Sequence, residues 1–321
     1  MTVPALDPMK SSGNGDEMNK GRLSLECCGV KLKNPIVIAS GPAGNGEEIS
    51  EIIDLSKIGL FTSKTVTFNK TDGNPPPRIV DVYGGIINSI GLQNPGFKVF
   101  MKETLPFLED MSVPVVVSLA SNYTEELRIM IKELNMSKID FLEINFSCPN
   151  VDKGKEPIGT NPNRIHKTIK ELRDLTKKPL FIKFAPTDSI LELVHASASA
   201  GADGVVLSNC PTGMKIDINT MKPILKRGFG GFAGPAIKPI TLNQVYQVRK
   251  NFKELVIIGT GGVINHEDAL EYLMAGANLV GIGFGVMVDP LIPLQIIKIL
   301  ETFMDNRNLN YSSVFCKAQT S

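Results

Sequence analysis

Short apolar runs alternate with helical patterns eight times along this chain, and that alternation narrows the folds open to it. The runs lie at 35–39, 59–63, 113–119, 139–145, 180–184, 204–208, 255–259 and 278–282. Each is a continuous stretch rich in Val, Ile, Leu or Phe, which reads as a strand buried on both faces. Helical patterns follow at 47–57, 94–111, 125–134, 161–176, 189–200, 242–251, 266–275 and 290–304. Strand–helix alternation implies a parallel sheet, and eight units within 321 residues predict a (β/α)8 TIM barrel with insertions at the C-terminal face of the strands. A doubly wound open sheet is the rival. The first unit lacks a GxGxxG, which favours the barrel. The expected organisation is a disordered N-terminal tail at 1–21, a barrel domain at 22–304 and a loose C-terminal tail at 305–321. Residues 22–32 alternate loosely around Gly29 and are expected to form a β-hairpin lid.

Composition excludes several function classes. Hydrophobic residues make up 42% and charged residues 21%, ordinary for a soluble globular protein, and the net charge of +1 gives no electrostatic basis for binding nucleic acid or membrane. The five cysteines (Cys27, Cys28, Cys148, Cys210, Cys316) show no paired spacing, which argues against a disulfide framework and for a reducing compartment. No CxxC occurs, and the scattered His166, His195 and His266 make no metal signature, so no metal or iron–sulfur site is expected in this chain. The polar first 21 residues resemble neither a signal nor a transit peptide, and no apolar run approaches transmembrane length. A cytoplasmic location is expected.

In a barrel of this type the strand ends share one face. They read Ser40-Gly41, Lys64, Ser118, Asn145, Lys183, Asn209, Gly261-Gly262 and Gly283. Lysine is rarely buried without an anionic partner, so Lys64 and Lys183 within this ring suggest an anionic or electron-rich ligand. Surface lysines at frayed strand ends are the alternative. GTGG (259–262) and GFG (283–285) follow strands seven and eight, the recurrent phosphate site of such barrels. Asn88, Asn145, Asn150 and Asn209 together suit a ligand with amide or imide edges. In FLEINFSCPN (141–150) a strand broken by Glu143 gives way to a polar loop, where Pro149 disfavours helix at Cys148. Cys148 is a candidate nucleophile or general base, with no histidine near it in sequence; a turn with an inert cysteine is the alternative.

Several segments resemble the dihydroorotate dehydrogenase family, its class 1B catalytic subunit most. They are GNPPPR (73–78), NSIGLQNPG (88–96), INFSCPN (144–150), GMKID (213–217), GPAIKP (234–239) and GTGGV (259–263), in the family's order. The resemblance runs from about Arg22 to Glu301. It implies a flavin mononucleotide (FMN)-dependent barrel that oxidises dihydroorotate to orotate in pyrimidine synthesis. Cys148 would be the base taking the C5 proton, with hydride passing from C6 to flavin N5. Lys64, Asn88, Asn145, Asn150, Asn209 and Cys210 would hold the substrate, with backbone from Ile90, Gly91 and Leu92. Ser40, Lys64, Thr65, Ser118, Asn145, Lys183, Ser208 and Gly234 would line the flavin, with Gly261, Gly262, Gly283 and Phe284 around its phosphate.

The chain departs from the family pattern at Cys210 and Phe284, where Thr or Ser is usual, at Pro42-Ala43, which replaces a bulkier pair, and at Ile158, where Phe is common. The resemblance further implies a partner subunit carrying FAD and a 2Fe–2S cluster that passes electrons to NAD, in a homodimer or heterotetramer. Fumarate or a quinone as acceptor, a flavin-free barrel binding a sugar phosphate, and a non-catalytic binding subunit are the alternatives.

Overall fold

The computed structural model describes residues 21–147 and 158–319. Eight parallel strands close on themselves: Ile36–Ile38 (β1), Leu60–Thr62 (β2), Val115–Ala120 (β3), Phe141–Asn145 (β4), Leu180–Phe184 (β5), Gly204–Leu207 (β6), Val256–Thr260 (β7) and Leu279–Ile282 (β8). Each strand pairs with the next, and β8 returns to β1 through Val280 opposite Ile36. Every residue of these eight strands is buried, which is why their sequences run apolar without alternation. The sequence expectation of a (β/α)8 barrel therefore holds.

The main outer helices are Thr124–Leu134 (α1), Pro162–Arg173 (α2), Ile190–Ser199 (α3), Lys238–Asn251 (α4), His266–Ala275 (α5) and Ile292–Arg307 (α6). Their ends follow local chemistry. Asn265 and Asp268 form a reciprocal capping box that starts α5, and Gly276, at φ 109°, ends it in the left-handed region. Pro162 opens α2 behind Asn161, whose side chain accepts from the Arg164 N–H.

Three expectations need correction. The helix anticipated over 47–57 is two short pieces, Glu47–Ser50 and a 3-10 turn at Leu55–Lys57, because the Asp54 side chain accepts from the Ser56 N–H and starts a new turn. The stretch expected as one helix over 94–111 runs from 97 to 109 and widens into a π turn at Phe100–Thr104, just before Pro106, which has no N–H for a regular ladder. The region after Asp305 is not loose within the described residues. The last helix α6 continues to Arg307, and a capped turn, Tyr311–Val314, buries Tyr311, whose hydroxyl donates to Asn278 O at 3.1 Å. The 1–20 part of the expected N-terminal tail lies outside the described residues.

The anticipated hairpin exists as Leu25–Cys27 paired antiparallel with Val30–Leu32. Cys27 and Leu32 pack on Leu60, Phe141, Val256 and Leu279, the first residues of four barrel strands, so the hairpin closes the barrel's N-terminal end. At the opposite end the two glycine-rich excursions meet. Ile79–Val82, Gly85–Asn88, Gly230–Ala233 and Thr212–Gly213 form one antiparallel sheet, with Gly231 opposite Asn88. A Cβ on Gly230 would lie 2.2 Å from Asn88 O, so the strands approach this closely only with glycine there. Among the described residues no helix is long and apolar enough to cross a membrane.

Candidate active site

The C-terminal strand ends surround a cavity of about 720 Å³. Its floor is tied together by side chains from successive strands. The Ser118 hydroxyl of β3 donates to Glu143 Oε1 of β4 at 2.6 Å, and Thr65 Oγ1 lies 2.8 Å from Ser118 Oγ. Ser40 Oγ lies 3.1 Å from Thr65 Oγ1, and Asn145 Nδ2 donates to Thr65 Oγ1 at 3.3 Å. A hydroxyl has one proton. Ser118 gives its proton to Glu143, so Thr65 donates to Ser118 and Ser40 donates to Thr65. The chain of hydroxyls has one direction, ending on the carboxylate. Glu143 is 3% exposed and stands 3.9 Å from Nζ of Lys183, itself 5% exposed, on β5.

Three amides are oriented next to this floor. Asn145 Oδ1 accepts from the Ser147 N–H at 3.2 Å and from its hydroxyl, which in turn accepts from Asn209 Nδ2 at 2.5 Å. Asn209 Oδ1 accepts from the Cys210 N–H at 2.8 Å. Asn88 Nδ2 donates to Gly231 O at 3.0 Å across the antiparallel sheet. Burial pushes the Cys210 thiol pKa up, opposed by nearby Lys183 and a hydrogen bond with Asn88. The Ser208 hydroxyl donates to Gln244 Oε1 at 2.6 Å, and Gln244 in turn donates to Thr187 O at 3.1 Å.

Lys64 enters the cavity after β2. Burial holds its pKa below the ordinary lysine value; the Arg78 guanidinium lowers it further, and Glu48 partly opposes both. Arg78 is itself held by uncharged acceptors: Asn74 O, Asp72 O at 3.1 Å and Gln93 Oε1 at 2.5 Å. Arg78 thus acts on Lys64 by charge without itself lining the cavity. Ile90, Gly91 and Leu92 line the cavity beside Asn74, whose Nδ2 donates to the Ser89 hydroxyl at 2.8 Å.

Glycines surround the far end. Gly234, Gly261 and Gly262 have φ of 139°, 135° and 74°. A Cβ on Gly261 would meet Thr241 Oγ1 at 2.6 Å, and one on Gly262 would meet Lys238 Cβ at 2.8 Å. Lys238 is already engaged by Asp268 at 2.6 Å and Glu271 at 3.0 Å.

Of the residues singled out from sequence, Ser40, Lys64, Thr65, Asn88, Ile90, Gly91, Leu92, Asn145, Lys183, Ser208, Asn209, Cys210, Gly234, Gly261, Gly262, Gly283 and Phe284 all line this cavity. Ser118 does not. It lies one layer below, fully buried, and reaches the cavity-lining residues through Thr65 and, by way of Glu143, Lys183. Cys148 and Asn150 fall outside the described residues. Glu143, Asn74, Arg78 and Gln244 were missed as site residues. Glu143 carried a legible signal, a lone charge in an apolar strand; the contact of Gly231 with Asn88 carried none. Among the described residues no cluster of His, Cys, Asp or Glu is placed to hold a metal, and Cys27, Cys28, Cys210 and Cys316 are free thiols.

Comparison with known proteins places the chain in a family. A family model described as dihydroorotate dehydrogenase matches residues 22–304. The chain is 39% identical over 289 residues to the catalytic subunit of dihydroorotate dehydrogenase B (NAD(+)) of Caldicellulosiruptor saccharolyticus, covering 90% of this chain and 96% of that protein. The proteins of the same name from Geotalea uraniireducens and Thermoanaerobacter pseudethanolicus are 40% and 41% identical, over 91% and 89% of this chain and 96% and 95% of theirs. With most of its length matched, strand ends and glycine loops included, this chain belongs to the dihydroorotate dehydrogenase family.

Proposed function

We propose that the chain is the FMN-dependent catalytic subunit that oxidises (S)-dihydroorotate to orotate in pyrimidine biosynthesis. The observation that carries this reading is the convergence of Lys64, Lys183, three oriented asparagines and a glycine-lined end on one cavity. About 720 Å³ is ample for a mononucleotide beside a small ring. The backbone at Gly261, Gly262, Gly283 and Phe284 suits a phosphate, since no Cβ stands in the way at the glycines and Phe284 can offer its N–H. Lys183, buried with a carboxylate only at 3.9 Å, has donors left for an electron-rich ring edge. Ser40, Thr65, Asn145, Ser208 and Gly234 would complete the wall. FMN, when bound, supplies the two-electron acceptor for the hydride leaving C6.

This chain's residues do the rest. Lys64, with Arg78 behind it, matches the substrate carboxylate, and backbone at Ile90, Gly91 and Leu92 flanks it. Asn88, Asn145, Asn209 and the family-matched Asn150 offer donors and acceptors to the ring's amide edges. Cys210 would place a thiol where the family pattern that the chain resembles usually has the hydroxyl of Thr or Ser. Cys148, three residues beyond the end of β4 in the sequence, would take the C5 proton as general base. A thiol titrates near about 8.5 unless perturbed, so turnover should rise with pH through that region.

The relatives' names include both NAD(+) and a catalytic subunit. They support electron delivery to NAD through a partner subunit; a partner carrying FAD and a 2Fe–2S cluster, and a cytoplasmic homodimer or heterotetramer, rest on the family resemblance alone. One anaerobic titration tests the core of this reading. The purified protein should be yellow, and dihydroorotate should bleach it. Cys148→Ala should keep the flavin and slow bleaching by about 10²–10⁴-fold. A colourless protein, or full-rate bleaching in Cys148→Ala, would overturn the reading at the cofactor or at the base respectively.

A further inference from the structure

Glu143 lies inside the barrel, flanked along β4 by fully buried Leu142 and Ile144, and is not part of the cavity wall. A charge in such a place is costly unless neighbouring groups use it. Two neighbours do. Nζ of Lys183, a cavity-lining residue, stands 3.9 Å from Oε1, too far for a hydrogen bond but close for charge. The Ser118 hydroxyl donates to the same oxygen at 2.6 Å, and this fixes the order of donors back to Ser40. Ser40, having given its proton to Thr65, turns only lone pairs toward the cavity. Asn145 meets an accepting oxygen at Thr65, so its Nδ2 points there and its Oδ1 points to Ser147.

We propose that Glu143 is a positioning residue, whose carboxylate anchors Lys183 at the cavity wall and orders the Ser40–Thr65–Ser118 hydroxyls. It thereby sets both the charge and the donor–acceptor pattern that the floor presents to the bound cofactor. The inference rests on the flavin reading above and extends it to a residue that touches neither cofactor nor substrate. Its negative charge tempers the attraction of Lys183 for electron density arriving on the cofactor.

The test uses full-length protein reconstituted with FMN, with affinity read from flavin fluorescence and the midpoint potential titrated against reference dyes. Glu143→Gln keeps the shape and removes the charge. It should move the oxidised–reduced equilibrium about tenfold toward reduced flavin, a rise of about 30 mV for a two-electron couple. Glu143→Asp, which keeps the charge, should return the equilibrium to within about threefold of wild type. Ser118→Ala takes a donor from the carboxylate and should shift the equilibrium the other way, toward oxidised flavin. Should Glu143→Gln fail to fold, the Ser118→Ala shift decides alone. Wild-type potentials in both Glu143→Gln and Ser118→Ala would overturn the proposal and leave Glu143 as packing. A wild-type protein that binds no FMN would instead overturn the flavin reading, so the two failures are distinct.

Discussion

Burial, together with the charge of Arg78, keeps the Lys64 pKa below the ordinary lysine value. The folded state therefore releases this proton at a lower pH than the unfolded chain does. Stability tied to Lys64 rises as pH climbs from the lowered value to the ordinary one, while attraction for an anionic substrate falls over the same range. KM for dihydroorotate should rise with pH there, and Arg78→Gln should displace the rise to higher pH; a pH series of KM for both proteins checks this. Lys64→Met should raise KM about 10–100-fold, as expected for a charge-assisted contact of about 1.5–3 kcal/mol. At this scale Lys64, Lys183, Asn145, Asn209, Gly261 and Gly283 were legible because each lies at or just past the end of an apolar run. Arg78 was not, because its link to Lys64 depends on how a proline-rich loop folds back.

The antiparallel sheet at the cavity mouth is the element least visible in the sequence. Gly230–Ala233 has no period-two pattern, and Asn88 finds Gly231 across 143 positions of chain. The barrel strands, by contrast, declare themselves, since burial on both faces makes each a continuous apolar run. Gly230→Val should force the sheet apart at Asn88 O and disturb the Asn88 amide. Loss of a hydrogen bond worth about 0.5–1.5 kcal/mol translates into a KM increase of up to about tenfold, with FMN affinity unchanged. Gly261→Ala meets both a positive φ and the Thr241 hydroxyl, so it should weaken FMN binding and cost about 1–3 kcal/mol of stability, read by fluorescence titration and by denaturant unfolding. Helix boundaries were legible where caps exist, as at Asn265, and not where a side chain such as Asp54 restarts a turn.

Across the whole molecule the two ends of the barrel divide labour. The N-terminal end carries packing: Cys27 and Leu32 from the hairpin fill it against Val37, Leu60, Val116 and Phe141. Leu32→Ala should cost about 2–5 kcal/mol of unfolding free energy while leaving the affinity for FMN as in wild type, measured on the same samples. Eight repeated units made the closed barrel readable from the chain. The folding of residues after Asp305 was not readable, because Tyr311 packs by a contact with Asn278 that no local pattern announces. The hairpin plug has a consequence for traffic. Among the described residues that end is stoppered by side chains, so it offers the cavity no passage along the barrel axis. On the proposed function, orotate would depart and dihydroorotate arrive at the strands' C-terminal rim, where a slow departure would delay the next arrival.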